Sequence, residues 1–312
     1  MTNTNYLFLI GAPKAGTTSI AAAFADHPAV AVAAGKEPRY FTDFADRTWR
    51  GPKAHSFATT MTTDWDDYAA QFGTGRWRLD ASTDYLSCPV TPPRLAAFAE
   101  RNPVKVVAVL RDPVARVLSE YQHTLRDGYQ TISLAESLAA EDKRVADGWH
   151  PLFHHIRRSR YAAPIARYRS LFGADFHILD FHAAGGHRAI LSQLAQIMGI
   201  APHHAQVPRD NVSYSPRSAT LNTLMQADAV RQMARRVLPD ELRGRLRRAA
   251  QALNGTQYRV TQAELATMRA ALADDIAWCL ADPDVPTAHW ALSCGAAEQV
   301  ADPSRPRLDV QP

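Results

Sequence analysis

Residues 6–19 read YLFLIGAPKAGTTS, and this stretch decides the fold class of the chain. Its five apolar or aromatic residues, 6–10, predict a short buried strand. A loop with two glycines follows, and three hydroxyl residues then open an alanine-rich segment that favours a helix. A strand, a glycine loop and a helix N-terminus in this order form an anion site. The reason is that the first N–H groups of a helix lack helical partners and the helix dipole attracts negative charge.

The loop differs in one respect from the nucleoside-triphosphate loop Gly-x-x-x-x-Gly-Lys-Ser/Thr. Gly11 and Gly16 have the right separation, and Thr18 fills the hydroxyl position. Thr17, however, stands where the lysine belongs, and Lys14 lies inside the loop. A lysine set back in this way would contact the group that links the 5′-phosphate of a ligand to the group that leaves this phosphate. The alternative is a plain turn with a surface lysine.

A second signal follows the most strand-like run of the chain, KVVAVL at residues 105–110. Its apolar, β-branched composition is typical of a strand buried on both faces. Arg111 comes at the end of this strand, where a guanidinium can make a two-pronged contact with phosphate. Ser119 presents a hydroxyl two turns into the helix predicted at residues 114–126. The alternative is an arginine that caps a strand and a serine packed within a helix.

Both segments resemble motifs of sulfotransferases that use 3′-phosphoadenosine 5′-phosphosulfate (PAPS). The run PKAGTT is similar to their 5′-phosphosulfate loop, and RDPxxRxxSxY is similar to their 3′-phosphate motif. The resemblance implies PAPS as the donor, its desulfated form PAP as the product, and no metal ion. It implies that Lys14 is catalytic, through the bridging oxygen and the sulfonate. The implied donor-binding residues are Pro13, Lys14, Ala15, Gly16, Thr17, Thr18, Ser19, Arg111 and Ser119.

A third segment, EPRYF at residues 37–41, follows a short strand predicted at residues 30–33. In open α/β sheets, ligands bind at the carboxyl ends of the strands. The segment resembles the Lys-Glu-x-x-Phe-Phe motif of the carbohydrate, or heparan-type, branch of the family. In that motif the glutamate is the general base, which implies this catalytic role for Glu37. The alternative is a surface ion pair of Glu37 with Lys36 or Arg39, which would contribute little.

Three side chains are expected to contact the acceptor: Arg39, Asp84 and His123. Asp84 belongs to a segment at residues 80–86 that resembles the family's Glu-Lys-Thr-Pro-x-Tyr. Ala81 replaces the lysine of that motif, so its role is missing here or is supplied by another residue. The branch resemblance implies a carbohydrate or glycolipid acceptor hydroxyl; a hydroxylated lipid or polyketide, or an acceptor amine, is the alternative.

Two further groups of arginines are open to more than one interpretation. A polar loop at residues 207–218 is similar to a nucleotide-side loop of relatives, which implies that Arg209, Asn211 or Arg217 contacts phosphate; a plain linker is the alternative. Arg157, Arg158 and Arg160 form a basic cluster that could equally be a solvent-exposed helix face.

The pattern as a whole predicts one α/β domain over residues 1–285. We expect a P-loop-like, mostly parallel sheet flanked by helices, with a helical C-terminal part. Continuous helices are predicted at residues 131–145 and 261–280. Residues 286–312 are expected to form an extended or disordered tail.

Composition narrows the class of protein. A net charge of +4 in 312 residues suits polyanionic ligands, and no lysine or arginine run is dense enough to predict a nucleic-acid arm. The cysteines Cys88, Cys279 and Cys294 are scattered, which argues against disulfides and zinc and favours a reducing cytoplasm. No signal peptide and no apolar run of roughly 20 residues is visible. We therefore expect a cytoplasmic, bacterial enzyme; its oligomeric state is not indicated.

Two rival functions remain at this point. A P-loop kinase would need a lysine at position 17 and an acidic strand end for magnesium, where the chain has Leu110 and Arg111. A non-catalytic module that binds 3′,5′-bisphosphates would hold the donor without any transfer.

Overall fold

The computed structural model of this chain describes residues 4–35, 37–202, 215–216, 255–256 and 258–291. Arg209, Asn211 and Arg217 lie outside the described residues, so their contact with phosphate stays a prediction. Within the predicted tail, residues 286–291 are described, and Trp290 is buried in the core.

Five parallel strands form one sheet within the described residues. They are β1 Asn5–Gly11, β2 Val30–Val32, β3 Trp77–Asp80, β4 Val104–Leu110 and β5 Phe176–Asp180. Their order across the sheet is β2-β3-β1-β4-β5. A separate antiparallel pair joins Ser215–Pro216 to Gly255–Thr256.

Helices connect the strands and follow the last one. They are α1 Thr17–Phe24, α2 Ala54–Ala58, α3 Trp65–Ala70, α4 Thr91–Ala99, α5 Pro113–Arg126, α6 Leu134–Ala139, α7 Glu141–Ala146, α8 Ala162–Phe172, α9 Gly186–Met198, α10 Gln262–Ala271 and α11 Ala273–Ala281. Short 3₁₀ turns lie at Phe44–Asp46, Thr83–Tyr85, Pro151–Phe153, Arg157–Ser159 and Gly173–Asp175. The predicted α/β fold, a parallel sheet flanked by helices, is confirmed.

The helices predicted as continuous at residues 131–145 and 261–280 are each divided in two. The first divides between α6 and α7, where Glu141 turns inward and its carboxylate accepts the N–H groups of Ile156 and Arg157, both at 2.8 Å. The second divides at Leu272, whose φ of −113° is not helical and whose side chain is buried. The prediction of continuous helices was wrong because tertiary contacts override a local helical pattern.

The two central strands, β1 and β4, are buried on both faces. Leu9 and Ile10 of β1 and Val106 and Val107 of β4 are successive residues that point to opposite faces, and none of them has exposed surface. On one face Phe8 packs against an aromatic cluster. Its ring is edge-on to that of Phe41, and the two ring centroids are 5.4 Å apart. This covered sheet gives the loops at its carboxyl edge a rigid base.

The strand order creates a switch point between β1 and β4. From β1 the chain continues toward β2 and β3 on one side, whereas from β4 it continues to β5 on the other. Loops that leave neighbouring strands in opposite directions open a crevice at the carboxyl edge, and ligands of α/β proteins bind there. The loops that follow β1 and β4 carry Lys14 and Arg111, so both fall at this crevice.

Candidate functional site

The loop between β1 and α1 forms a tight, glycine-containing turn at the switch point. Its backbone N–H at Ala15 donates to the carbonyl of Ala12 at 3.1 Å. Lys14 and Gly16 both adopt left-handed backbone conformations, with φ of 69° and 73°. Turns of this kind aim successive N–H groups into a shared concavity that attracts anions. Gly16 is also the N-cap of α1 and brings no capping side chain, so the first turn of the helix faces this concavity uncapped.

Arg111 lies directly against this loop. Its Nη1 donates a hydrogen bond to the carbonyl oxygen of Lys14 at 3.0 Å, and its Cζ lies 5.3 Å from the centre of the Phe181 ring. Its Nε is buried and has no hydrogen-bond partner. Burial lowers the pKa of Arg111 to about 10, against an opposing effect of the Asp112 charge. A desolvated cation with an unsatisfied N–H group is suited to bind an anion.

Two residues that the sequence did not single out lie over Gly16. A Cβ atom at Gly16 would come within 2.7 Å of His187 Nε2 and 2.8 Å of Phe181 Cε2. These residues follow β5 and begin α9, so only the tertiary fold brings them to the loop. The same Phe181 ring contacts Arg111. One wall of the crevice is thus formed by four residues: Gly16, Arg111, Phe181 and His187.

The other predicted donor residues occupy the same edge of the sheet. Thr17 is buried in the first turn of α1, and Thr18 and Ser19 are half-buried beside it. Ser119 is buried on α5, which begins just after Arg111. Contact of each of these residues with a donor stays a prediction.

Glu37 follows β2 and is paired with Arg39. Its Oε2 accepts from Arg39 Nη2 at 2.6 Å, and its Oε1 accepts from the Thr83 hydroxyl at 3.2 Å. The ion pair of Glu37 with Arg39, which was the alternative to a catalytic role, is therefore present, but it does not lie on the surface. The two side chains are only 12% and 15% exposed. The pair lies in a partly desolvated position, where an ionic contact matters more than at an exposed one.

Glu37 and the Lys14 loop share a neighbouring segment. Thr83, which donates to Glu37, begins the 3₁₀ turn after β3. The carbonyl oxygen of Thr83 would lie 3.1 Å from a Cβ at Gly11, and Leu86 N–H donates to the Ile10 carbonyl at 2.9 Å. The predicted base and the predicted donor loop therefore both pack against the segment that follows β3.

Asp84 is buried, and both of its carboxylate oxygens are bound by arginines. Oδ2 accepts from Arg39 Nε and Oδ1 from Arg158 Nη2, both at 2.6 Å. Burial acts to raise the pKa of Asp84, but the charges of Arg158 and Arg39 outweigh it and hold the pKa below its usual value. Contact of Asp84 with an acceptor stays a prediction, as does that of Arg39, whose Nη1 also donates to the Thr60 hydroxyl at 2.9 Å.

His123 lies on α5 within electrostatic range of Lys14. Burial lowers the pKa of His123, a hydrogen bond with Asp127 opposes this, and the Lys14 charge lowers the pKa further. Its Nδ1 is 3.1 Å from Asp127 Oδ2 and 2.8 Å from Arg126 Nη2. His123 is therefore near the Lys14 loop and is favoured as neutral at physiological pH; its acceptor contact stays a prediction.

Arg158 is the main charged residue of this region that the sequence did not assign. It is buried, whereas its neighbours Arg157 and Arg160 are exposed, so the basic cluster is not a uniform solvent-exposed face. Its Nη1 donates to Glu120 at 2.5 Å, and its Nη2 donates to Asp84. In the sequence, the one indication that Arg158 could be buried is its position between the apolar residues Ile156 and Tyr161.

Some simpler features complete the description. Cys88 and Cys279 are buried free thiols, and Cys294 lies outside the described residues. Within the described ranges, no group of three or more histidine, cysteine, aspartate or glutamate residues is arranged to bind a metal ion. Every helix in those ranges is too short or too polar to traverse a lipid bilayer.

Comparison with solved structures finds a crystal structure of a sulfotransferase from Alicyclobacillus acidocaldarius. The two chains are 27% identical and superpose with a TM-score of 0.60, over 75% of this chain and 97% of that one. No protein-family model matches this chain, and no curated protein sequence does. The chain is thus similar in fold and in sequence to a bacterial sulfotransferase, and this similarity supports sulfuryl transfer as its general chemistry.

Proposed function

We propose that this protein transfers a sulfuryl group from PAPS to a hydroxyl acceptor. The observation that carries the proposal is the contact of Arg111 with Lys14 at the switch point of the sheet. It brings together the residues that the sequence motifs assign to the two anionic ends of the donor. The likeness to a sulfotransferase supports the same chemistry.

The residues at the crevice fit the two anionic ends of PAPS. The left-handed turn at Lys14 and Gly16 and the uncapped N-terminus of α1 suit the 5′-phosphosulfate end. Arg111, with its buried and unpartnered Nε, suits the 3′-phosphate, together with Ser119. When bound, PAPS would supply an activated sulfuryl group with PAP as its leaving group. Lys14 would stabilise the negative charge that grows on the bridging oxygen.

Glu37 is proposed as the general base that takes the proton of the acceptor hydroxyl. Thr83 and Arg39 hold its carboxylate in a fixed orientation. An ionised carboxylate has about four lone-pair sites, so an acceptor hydroxyl can still donate to it. A positioned base of this kind typically contributes about 10²- to 10⁴-fold to the rate.

The proposed acceptor is a hydroxyl of a carbohydrate or glycolipid. Support comes from the likeness of residues 37–41 to the heparan-type motif. We also propose that the reaction takes place in the cytoplasm, because the buried thiols of Cys88 and Cys279 suit a reducing compartment.

The donor assignment is tested by calorimetry with PAP and with AMP, which differs from PAP only in lacking the 3′-phosphate. We expect PAP to bind at least tenfold more tightly than AMP, since an arginine contact with phosphate is worth about 1.5–3 kcal/mol. Equal affinities, or turnover of ATP with magnesium in place of PAPS, would favour the kinase.

Transfer is tested by incubating the protein and sulfur-35-labelled PAPS with extract of the host cells, followed by identification of the labelled product by mass spectrometry. Lys14→Ala and Glu37→Ala should each lower labelling by about 10²-fold or more. Lys143→Ala is the matched control, because Lys143 is highly exposed on α7. Retained PAP binding without transfer to any acceptor would identify a binding module instead.

A further inference from the structure

Six charged side chains form a continuous chain of ion pairs. Their signs alternate, and their order is Glu37, Arg39, Asp84, Arg158, Glu120 and Arg116. The five successive N···O distances are 2.6, 2.6, 2.6, 2.5 and 2.9 Å. Each interior member therefore lies between two charges of opposite sign, and the three carboxylates balance the three guanidinium groups.

The side chains at one end of this ion-pair chain are more exposed than those at the other. The side chains of Arg116 and Glu120 are 0% exposed, and those of Arg158 and Asp84 are 6% and 3% exposed. Only the pair of Arg39 and Glu37 reaches 15% and 12%. Glu37 thus lies at the more exposed end of an otherwise buried array.

The ion-pair chain joins segments that follow three different strands. Glu37 and Arg39 follow β2, Asp84 follows β3, and Glu120 lies on α5, which follows β4. Arg158, in the 3₁₀ turn before α8, bridges Asp84 and Glu120. The residue before Glu120 is Ser119, a proposed donor contact. The ion pairs therefore connect the helix that carries a donor residue to the segment that carries the base.

Arg39 is held in an unusual backbone conformation. Its φ is 55°, in the left-handed region that residues other than glycine rarely adopt. Its N–H donates to the Ser82 hydroxyl at 3.0 Å, and its carbonyl accepts from the Thr42 N–H and hydroxyl at 3.0 and 2.8 Å. Such a conformation persists only where the surroundings determine it strongly, and it recurs at functional sites.

The ionic state of the interior members supports this arrangement. Burial would raise the pKa of Glu120, but the charges of Arg116 and Arg158 hold it well below the usual value. With the similarly lowered Asp84, both interior carboxylates stay ionised at neutral pH. Each of them can therefore orient the arginines beside it throughout the physiological range.

We infer that Arg39, Asp84 and Arg158 are positioning residues that fix the carboxylate of Glu37 relative to the donor-binding helix α5. The inference rests on the proposed function, because it assigns them to the base of that reaction. Asp84 orients Arg39 through Nε, and Arg39 holds Glu37 through Nη2. Arg158 anchors Asp84 to Glu120 on α5. Misplacement of a reacting group by about 1 Å can lower a rate by about 10²-fold. The gain in rate from a rigidly held Glu37 can therefore offset the free-energy cost of burying these charges.

The test measures two quantities that a positioning role separates. The first is PAP affinity, by calorimetry. The second is the rate at which excess enzyme releases labelled sulfate from sulfur-35 PAPS, with water as the acceptor. We expect Asp84→Asn and Arg39→Lys to lower the rate by about 10- to 100-fold while PAP affinity changes less than about threefold. Glu141→Gln is the matched control, because Glu141 is also a buried carboxylate but caps backbone N–H groups outside the ion-pair chain.

A double-variant cycle distinguishes positioning from a purely structural role. If Asp84 acts through Glu37, Asp84→Asn should slow Glu37→Gln no further, since residues that act as a unit are not additive. The inference would be overturned if the rate of the double variant were reduced by the product of the two single losses. It would also be overturned if Asp84→Asn and Arg39→Lys each left the rate unchanged. Arg39→Lys keeps the test decisive should Asp84→Asn fail to fold, because it retains the charge at the more exposed end. A wild-type protein that neither binds PAP nor releases sulfate would refute the proposed function itself, a result that differs from either outcome above.

Discussion

The guanidinium of Arg111 donates a hydrogen bond to the backbone carbonyl of Lys14 at 3.0 Å, across the boundary between two neighbouring loops. Lys14 lies after β1 and Arg111 after β4, and these strands are parallel neighbours in the sheet. The contact therefore joins two motifs that are far apart in the chain. It holds one cationic group against the loop that carries the other, which fits the proposed recognition of a ligand with two anionic ends.

Replacement of Arg111 should weaken donor binding. We expect Arg111→Gln to raise the Kd for PAP by about 10- to 100-fold, because a charge-assisted contact with phosphate is lost. The affinity for AMP, which lacks only the 3′-phosphate, should change far less. Arg101→Gln is the matched control, since Arg101 is exposed and precedes β4, at the opposite edge of the sheet. Equal effects of Arg111→Gln on both ligands, measured by calorimetry, would contradict the assignment of Arg111 to the 3′-phosphate.

A side chain at Gly16 should disrupt the site. Gly16→Ala adds a Cβ within 2.7 Å of His187 Nε2 and 2.8 Å of Phe181 Cε2, at a backbone φ of 73°. We expect a loss of about 1–2 kcal/mol in the free energy of unfolding and at least tenfold weaker PAP binding. Gly73→Ala is the control, because a Cβ there meets nothing within 4 Å. Urea denaturation and calorimetry measure both effects, and a Gly16→Ala protein equal to Gly73→Ala would show that the close approach is unimportant.

The left-handed backbone of Arg39 makes a prediction that is independent of its charge. Both Arg39→Ala and Arg39→Gly remove the ion pairs, but only glycine adopts a φ of 55° without strain. We therefore expect the glycine variant to be more stable than the alanine variant by about 0.5–1 kcal/mol, although glycine usually destabilises. Urea denaturation of the two variants checks this, and the reverse order would show that the turn relaxes when the side chain is lost.

The partly buried His154 should make stability depend on pH on the acid side. Burial, with a smaller effect of the Arg158 charge, lowers the pKa of His154 from 6.5 to about 4. The unfolded chain then binds a proton at a higher pH than the folded chain does. The contribution of His154 is therefore complete above pH 6.5 and is lost as the pH falls toward about 4.

His154→Gln should flatten that part of the stability profile. We expect its free energy of unfolding, from urea titrations over this pH range, to fall less steeply than that of the wild type. His55→Gln is the control, because His55 is exposed on α2. A wild-type slope in His154→Gln would show that other groups dominate the acid loss.

The local elements of the fold were predictable from the sequence. The alternation of apolar runs and glycine loops indicated β1, β4 and the helices after them, because buried parallel strands need continuous apolar residues. The helix ends were less predictable. Glu141 and Leu272 interrupt predicted helices because each takes part in tertiary packing that a local pattern does not contain.

Parts of the site were less predictable because they depend on contacts between distant segments. The ion pair of Glu37 with Arg39 joins near neighbours in sequence, so it could be named as an alternative. The low exposure of this pair could not be predicted from the sequence, since it depends on how the segment after β3 packs against the pair. Arg158 appeared as one member of a basic cluster, and only its contacts with Asp84 and Glu120 show it as a buried bridge.

The sequence by itself determines which functional groups are present: a glycine turn with Lys14 that is predicted to bind an anion, an arginine at the end of a strand, and a glutamate after another strand. These are local properties of strand ends and helix starts, where backbone groups and dipoles act over a few residues. The order β2-β3-β1-β4-β5 decides which of these pieces meet. It places β1 next to β4, so that Arg111 reaches Lys14, because neighbouring parallel strands bring their carboxyl ends to one edge.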